Sequence, residues 1–388
     1  MRDVPEQGYR PERNGVPSAC PEAELLAACP GAGSVLTEPS RGEGITSATT
    51  AANGPTLEIW EGHATDHDLR FAGASGGALS ALAAYCIEKG GMEGVLHVGA
   101  DPNDPLRNRT VFSRTREELK ANTGSRYAPA SVCEGIDMID RSDGPCVFIG
   151  QPSEVTALRK IQALRPALES KVGVALSFFC AGSPPVQGTL DLLRENGIDP
   201  AEVTQLRYRG RGWPGNFAVW VKGQSDPVLE MTYAESWAFL QRYRPWSVQI
   251  WPDGSGEHAD ITCGDPWHRA VEPGEAGSSL VIARTETGRR IIRQALEAGY
   301  LELKPLSQEK LIASQRNLIT KKGSVWGRLQ TMWLMGIPTP RHRGYSLFRI
   351  WCRLSLRDKG ASFVGTARRI HQRGYRIRGP AEPYFMKD

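Results

Sequence analysis

The chain has 388 residues, 40% apolar and 23% charged, with a formal net charge of +4. That balance excludes a disordered chain, a collagen and a coiled coil, and the length suggests two or three folded units. The longest apolar run, 172–182, is interrupted by Ser177 and falls well short of the roughly 20 residues of a membrane-spanning helix.

Residues 1–55 are rich in Pro, Gly, Ser, Thr and Ala, and only 23–29 has a helical pattern, so a loose N-terminal segment is expected. No apolar run follows Met1, so no signal peptide is expected. A strand is predicted at 57–61 on Leu57 and Ile59. A turn from Phe71 then opens a helix, with Leu79, Leu82, Ala83, Cys86 and Ile87 at helical spacing as far as Gly90 and Gly91. Further strands are expected at 95–98, 146–149, 172–179 and 279–284, and helices at 115–122, 154–168, 188–196 and 288–298. Strands between 203 and 271 are shorter and richer in turns. Strand, turn and helix in alternation predict an α/β fold with a mostly parallel sheet and flanking helices. The rest, 304–388, holds 18 Lys and Arg against four Asp and Glu, a balance of +14 beside −10 for the remainder. It reads as a basic, partly helical tail, either a solvated helical face or a contact for an anionic surface such as RNA or lipid.

The most informative motif is Gly73-Ala-Ser-Gly-Gly-Ala-Leu-Ser80 between a strand and a helix. Small residues let backbone approach a ligand, and a helix N-terminus offers free N–H groups to a phosphate; the plainer alternative is an ordinary helix start. No Gly-Lys-Ser/Thr follows, so it is not a Walker loop. Gly-bearing loops at 123–127, 150–153 and 179–182 fall at strand ends, where open α/β sheets bind ligands, or are simple connections. The acids of 253–265 lack EF-hand spacing, and His63, Asp66, His67 and Asp68 read as a chance cluster. No two of the eight cysteines form a Cys-x-x-Cys pair. Cys86 and Cys146 are expected in the core, and Cys180 beside a site.

These segments together resemble the coenzyme F420 hydrogenase/dehydrogenase beta subunit family. The residues that carry the resemblance are Ser75-Gly-Gly-Ala-Leu-Ser-Ala-Leu82, Gly124-Ser-Arg-Tyr127, Gly150-Gln-Pro-Ser153 and Phe178-Phe-Cys-Ala-Gly182, followed by Arg209-Gly-Arg-Gly-Trp-Pro-Gly215, Pro252-Asp-Gly-Ser-Gly256 and Arg284-Thr-Glu-Thr-Gly288. The resemblance spans about 57–303, so 1–55 stands as the remnant of an iron–sulfur region. Units 56–145 and 146–303 are the family's N- and C-terminal domains, and 304–388 is the tail. It implies FAD and 4Fe–4S clusters, and transfer of electrons or hydride to or from a small-molecule or protein partner. Ser75, Gly76, Gly77 and Ser80 would lie at the flavin, with Gly124, Ser125, Arg126, Tyr127, Gly150, Gln151, Pro152 and Ser153 lining the same pocket. A bulky residue at Gly76 is then expected to abolish flavin binding. The chain departs from the family where cluster cysteines belong: Ser153 ends the Gly-x-Pro-Cys turn, and Val248 and Trp251 replace a Cys-x-x-Cys pair. Cys180 alone keeps a thiol at a family-like position, so the cluster is expected to be lost. The tail resembles that of members associated with surface-polysaccharide genes. The implied function is a cytoplasmic flavin-dependent oxidoreductase, peripheral to the membrane if the tail meets lipid. The alternative is a non-catalytic binding or scaffold subunit.

Overall fold

The computed structural model describes residues 2–5, 8–10, 21–36, 47–272 and 274–374. Cys20, Tyr375 and Arg378 lie outside the described residues.

The main sheet has eight strands: β1 (Glu58–Ala64), β2 (Val95–Ala100), β3 (Asn108–Ser113), β4 (Cys146–Gly150), β5 (Val172–Phe178), β9 (Ile261–Gly264), β10 (Ser279–Ala283) and β11 (Leu301–Pro305). Strands β6 (Val203–Arg207), β7 (Asn216–Val221) and β8 (Leu229–Thr232) form a separate antiparallel sheet in the order β8-β7-β6. The main order is β11-β1-β10-β9-β5-β4-β2-β3. The central neighbours β9, β5, β4 and β2 pair in parallel, and the outer pairings are antiparallel. Five strands, β1, β2, β4, β5 and β9, therefore run one way, and the α/β architecture with a mainly parallel sheet is as expected. All five residues of β4 (Cys-Val-Phe-Ile-Gly) are buried, because a central parallel strand is covered on both faces.

Helices α1 (Ala78–Glu88) and α5 (Glu286–Glu297) cover one face, where Leu82, Cys86, Ile291 and Ile292 meet Val147, Val174 and Val281. Helix α2 (Pro152–Leu164) covers the other, packing Val155 and Leu158 on Phe148 and Ala175. The small sheet packs on α3 (Val186–Glu195) and α4 (Tyr233–Leu240) through Leu192, Leu193, Phe217, Val219 and Leu240. It is inserted between β5 and β9.

Some elements differ from expectation. Strand β3 had no sequence signal, because it is an edge strand whose middle residues are only partly covered. The helix expected over 154–168 starts at Pro152 and stops at Leu164. Pro166 forces Arg165 out of helical geometry, and Ala167–Lys171 forms a separate turn of helix. In the N-terminal segment, Glu22–Ala28 is helical as expected, and Ser47–Asn53 adds a helix. The buried Arg284 guanidinium anchors its far end by donating to the carbonyls of Asn53 at 2.6 Å and Pro55 at 2.8 Å.

The tail folds back on the body. Helices α6 (Arg316–Leu334), α7 (Leu347–Cys352) and α8 (Leu356–Gln372) pack around Trp326, Phe348, Trp351 and Phe363. At Gly327 a Cβ would come 2.2 Å from Ser362 Oγ, so only glycine lets α6 and α8 approach this closely. Arg341–Arg343 pairs in parallel with Gly33–Val35, joining tail to N-terminal segment. Lys322 Nζ donates to Glu257 Oε1 at 2.6 Å, both side chains almost wholly buried. Among the described residues no helix is long and apolar enough to cross a membrane.

Candidate functional site

A cavity of about 1430 Å³ opens where the main sheet, the small sheet and the tail helices meet. It is lined by the start of α1, the loops that leave β4, β5 and β9, and residues of α4, α6 and α8. The carboxyl ends of parallel strands point their loops into it, as in open α/β sheets generally. Its volume exceeds the ~300–1,000 Å³ of ordinary small-molecule sites.

Nine of the twelve residues singled out from the sequence line this cavity: Ser75, Gly77, Ser80, Gly124, Ser125, Arg126, Tyr127, Gly150 and Gln151. Helix α1 starts there with Gly77 at φ 70° as its N-cap and without a side-chain cap. A Cβ on Gly77 would lie 2.4 Å from the Leu69 carbonyl oxygen, so the uncapped N-terminus depends on glycine. Gly124 leaves a cradle in the wall: a Cβ there would meet nothing nearer than two main-chain oxygens at 3.7 and 3.8 Å. Arg126 is largely committed, donating to Asn108 Oδ1 at 2.8 Å and to the carbonyls of Pro105, Arg107 and Leu206. It fastens the wall as much as it faces the cavity. Tyr127 belongs to an aromatic wall, 5.0 Å from Trp237 between ring centres, and Tyr233 stacks on Trp267 at 5.9 Å.

Gly76, Pro152 and Ser153 are not on this wall. Gly76 turns into the sheet, where a Cβ would sit 2.8 Å from Gly62 O and Ser279 N. A bulky residue there tests folding rather than flavin binding, because it collides with main chain of β1 and β10. Pro152 and Ser153 face a smaller cavity of about 230 Å³, together with Cys180, Val248, Trp251, Lys321 and His342. The four family-like cluster positions thus converge in space, with one thiol among them. Burial pushes the Cys180 thiol up against the pull of Lys321. Among the described residues no group of three or more His, Cys, Asp or Glu is placed to hold a metal ion. One thiolate with serine, valine and tryptophan does not fit a cluster that needs four soft ligands.

The flavin fits better. The uncapped helix start, the Gly124 cradle, the aromatic wall and the cavity volume are what a dinucleotide with an anionic linker and a flat ring needs.

Sequence reasoning passed over several residues. Arg209, buried, grips Asp265 with both nitrogens at 2.8 and 3.0 Å and donates to the Ala74 carbonyl at 2.6 Å. It holds the loop before α1 against the exit of β9, and its motif was visible in 209–215. Arg244, Lys321 and Arg328 also line the cavity, two of them from the tail. The excess of basic residues in the tail was the only signal for those two.

Glu154 was also missed. Its carboxylate accepts the main-chain N–H groups of Gln151 at 2.8 Å and Val132 at 3.3 Å but has no cation partner among the described residues. Burial pushes it up to about 7. The folded chain therefore holds this proton more tightly than the unfolded chain. Relative to Glu154→Gln, wild-type stability is expected to be greatest below pH ~4.5. It should fall by roughly 3 kcal/mol as pH rises through 4.5–7, and level off above 7. Urea unfolding of both proteins from pH 4 to 8 checks this; a pH-independent difference would refute it.

Two family models match the chain, both for the beta subunit of coenzyme F420 hydrogenase/dehydrogenase: its N-terminal part over residues 59–136, and its C-terminal part over 145–309. The coenzyme F420 hydrogenase subunit beta of Methanothermobacter thermautotrophicus is 25% identical over 301 residues, 74% of this chain and 99% of that protein. The F420-dependent formate dehydrogenase 1 subunit beta of Methanococcus maripaludis is 24% identical over 251 residues, 64% and 61% of the two chains. Among solved structures, a chain of the F420-reducing [NiFe] hydrogenase complex from Methanosarcina barkeri aligns with a TM-score of 0.58 at 20% identity, over 74% of this chain and 96% of that one. That last likeness concerns the fold. Helices α6 to α8 lie beyond the matched spans.

Proposed function

Because the chain belongs to the coenzyme F420 hydrogenase/dehydrogenase beta subunit family, we propose that it is a flavin-dependent oxidoreductase that binds FAD in the large cavity and exchanges hydride or electrons with a partner. The observation that carries this reading is the convergence of Ser75, Gly77, Ser80, Gly124, Ser125 and Gln151 on one cavity at the strands' carboxyl ends. Bound FAD would supply two-electron chemistry at its ring. The chain's own residues do the placing. The start of α1 offers N–H groups to the phosphates, Tyr127, Tyr233, Trp237 and Trp267 present flat faces to a ring, and Arg209 with Asp265 holds the loop that shapes the wall. Glu154, held near neutrality, is a group at the wall that can keep or release a proton. Among the described residues no set of four cluster ligands is present, so in this reading electrons enter and leave by a diffusible or protein partner. The exposed Arg353 and Arg357 beside Phe348 and Leu356 would carry contact with an anionic surface in the cytoplasm, and polysaccharide assembly is the proposed setting.

The test is the visible spectrum of the purified protein before and after addition of FAD. Uptake near one FAD per chain supports the reading. A colourless protein that takes up none would sink it and leave the binding-subunit alternative, which the loss of cluster ligands favours. Ser80→Glu separates binding from folding. A carboxylate in the first turn of α1 suits the helix dipole, so the melting temperature is expected to hold or rise. The same charge repels the flavin phosphates, and FAD affinity is expected to fall ~10-fold or more.

A further inference from the structure

The tail helices do more than cover the cavity: they bring positive charge into it. Lys321 and Arg328 of α6 line its wall, and the family region adds Arg244. Among the described residues none of the three has a carboxylate partner. Arg244 donates to the carbonyls of Ala181 at 3.2 Å and Gln241 at 3.1 Å, and Arg328 to the carbonyl of Gln249. Lys321 has no hydrogen-bond partner among the described residues, and it lies where the large and small cavities adjoin, beside Cys180. Burial, with Arg244 and Arg328 adding repulsion, holds its amine down to about 8. Arg328 is likewise drawn down to about 10 by burial and by Arg369 and Arg244.

Of the nearby acids, Glu154 lines the same cavity but is pushed up to about 7 by burial, and the others are engaged elsewhere, although Asp253 still pulls on Lys321. Asp253 accepts the N–H groups of Ser255, Gly256 and Glu257 at 2.8 to 2.9 Å. Asp265 is held by Arg209, and Asp358 accepts the Ser355 hydroxyl at 2.7 Å. Three cations crowded at a cavity wall with no ion-pair partner among the described residues repel one another, and an anion there would relieve the repulsion.

We infer that Lys321, Arg328 and Arg244 form a binding site for the phosphate group of a second small molecule, the redox partner that docks beside the flavin. This rests on the flavin reading for its role, not for its existence. The cavity has room for both, since about 1430 Å³ exceeds a single ordinary ligand site. Two of the three cations come from α6, beyond the family-matched spans, so this specificity belongs to the tail.

The experiment titrates inorganic pyrophosphate into the full chain, with and without bound FAD, by calorimetry. Wild type is expected to bind pyrophosphate in both forms, more weakly at higher salt. Lys321→Met and Arg328→Met should each weaken it ~10-fold or more, with Arg328→Lys intermediate. Lys321 has no partner to lose, so the melting temperature of Lys321→Met should hold or rise; a large fall would mark it as structural and overturn the assignment. Failure of wild type to bind pyrophosphate, or variants that bind as tightly, would also overturn it. So would displacement of FAD by pyrophosphate, because the cations would then hold the flavin's own phosphates. Pyrophosphate binding in a protein that takes up no FAD would keep the anion site while removing the flavin reading.

Discussion

Replacing Arg209 with Met is expected to destabilise the fold by about 3–5 kcal/mol and to abolish FAD uptake. The guanidinium is 5% exposed and makes four hydrogen bonds that join three separate pieces of chain. Two go to Asp265 at the exit of β9, one to the Ala74 carbonyl before α1 and one to the Pro214 carbonyl beside β7. Methionine fills part of the volume but leaves the Asp265 carboxylate with Trp213 Nε1 at 2.8 Å as its one remaining side-chain donor among the described residues. A carboxylate only 18% exposed, stripped of its buried cation partner, is a costly change. Arg209→Lys keeps the charge but cannot reproduce the paired grip, so an intermediate loss is expected. Adding Asp265→Asn to Arg209→Met should recover a large part of the stability, because it removes the orphaned charge. Urea unfolding of the four proteins, with FAD titration at low denaturant, checks this. Equal stability of wild type and Arg209→Met would refute it.

Lys322→Met is expected to cost a similar 3–5 kcal/mol and to loosen the tail from the body. The Lys322 and Glu257 side chains are 4% and 1% exposed, and Glu257 Oε2 has no partner among the described residues. Lys322 is thus the main compensation for a deeply buried carboxylate on the body, and it is carried by α6. Without it Glu257 must take a proton or draw in water, and α6 loses one of its polar anchors on the body. Protease cleavage within 316–372 should become much faster in Lys322→Met. Glu257→Gln in the same background should slow it again. Cleavage at the wild-type rate would show that aromatic packing alone holds the tail.

Much of the architecture was legible in the chain. Buried runs such as Val95 to Val98 and Val172 to Phe178 carry apolar side chains that a parallel strand requires, and the periodicity from Leu79 to Ile87 is a covered helix. The cavity-facing loops were legible too, because glycine at 77 and 124 answers a local demand: a positive φ or a wall without a side chain. Gly76 looked the same in sequence and plays another part, since what a glycine faces depends on strands far away in the chain, here Gly62 on one side and Ser279 on the other. Pro152 and Ser153 were misplaced for a similar reason. The helix they open begins between two cavities, and one residue of helical rotation decides which one a side chain meets.

By itself, then, the sequence determined the α/β alternation and the family, because these depend on residue type and local period. The tertiary structure alone decided that the basic tail returns to roof the cavity, that Lys321 stands beside Cys180 without a hydrogen-bond partner among the described residues, and that Arg209 links three loops. Those outcomes rest on burial and on pairings between distant segments, where desolvation makes an ion pair or its absence count for several kcal/mol. A one-dimensional pattern carries the charges but not the surroundings that set their energies.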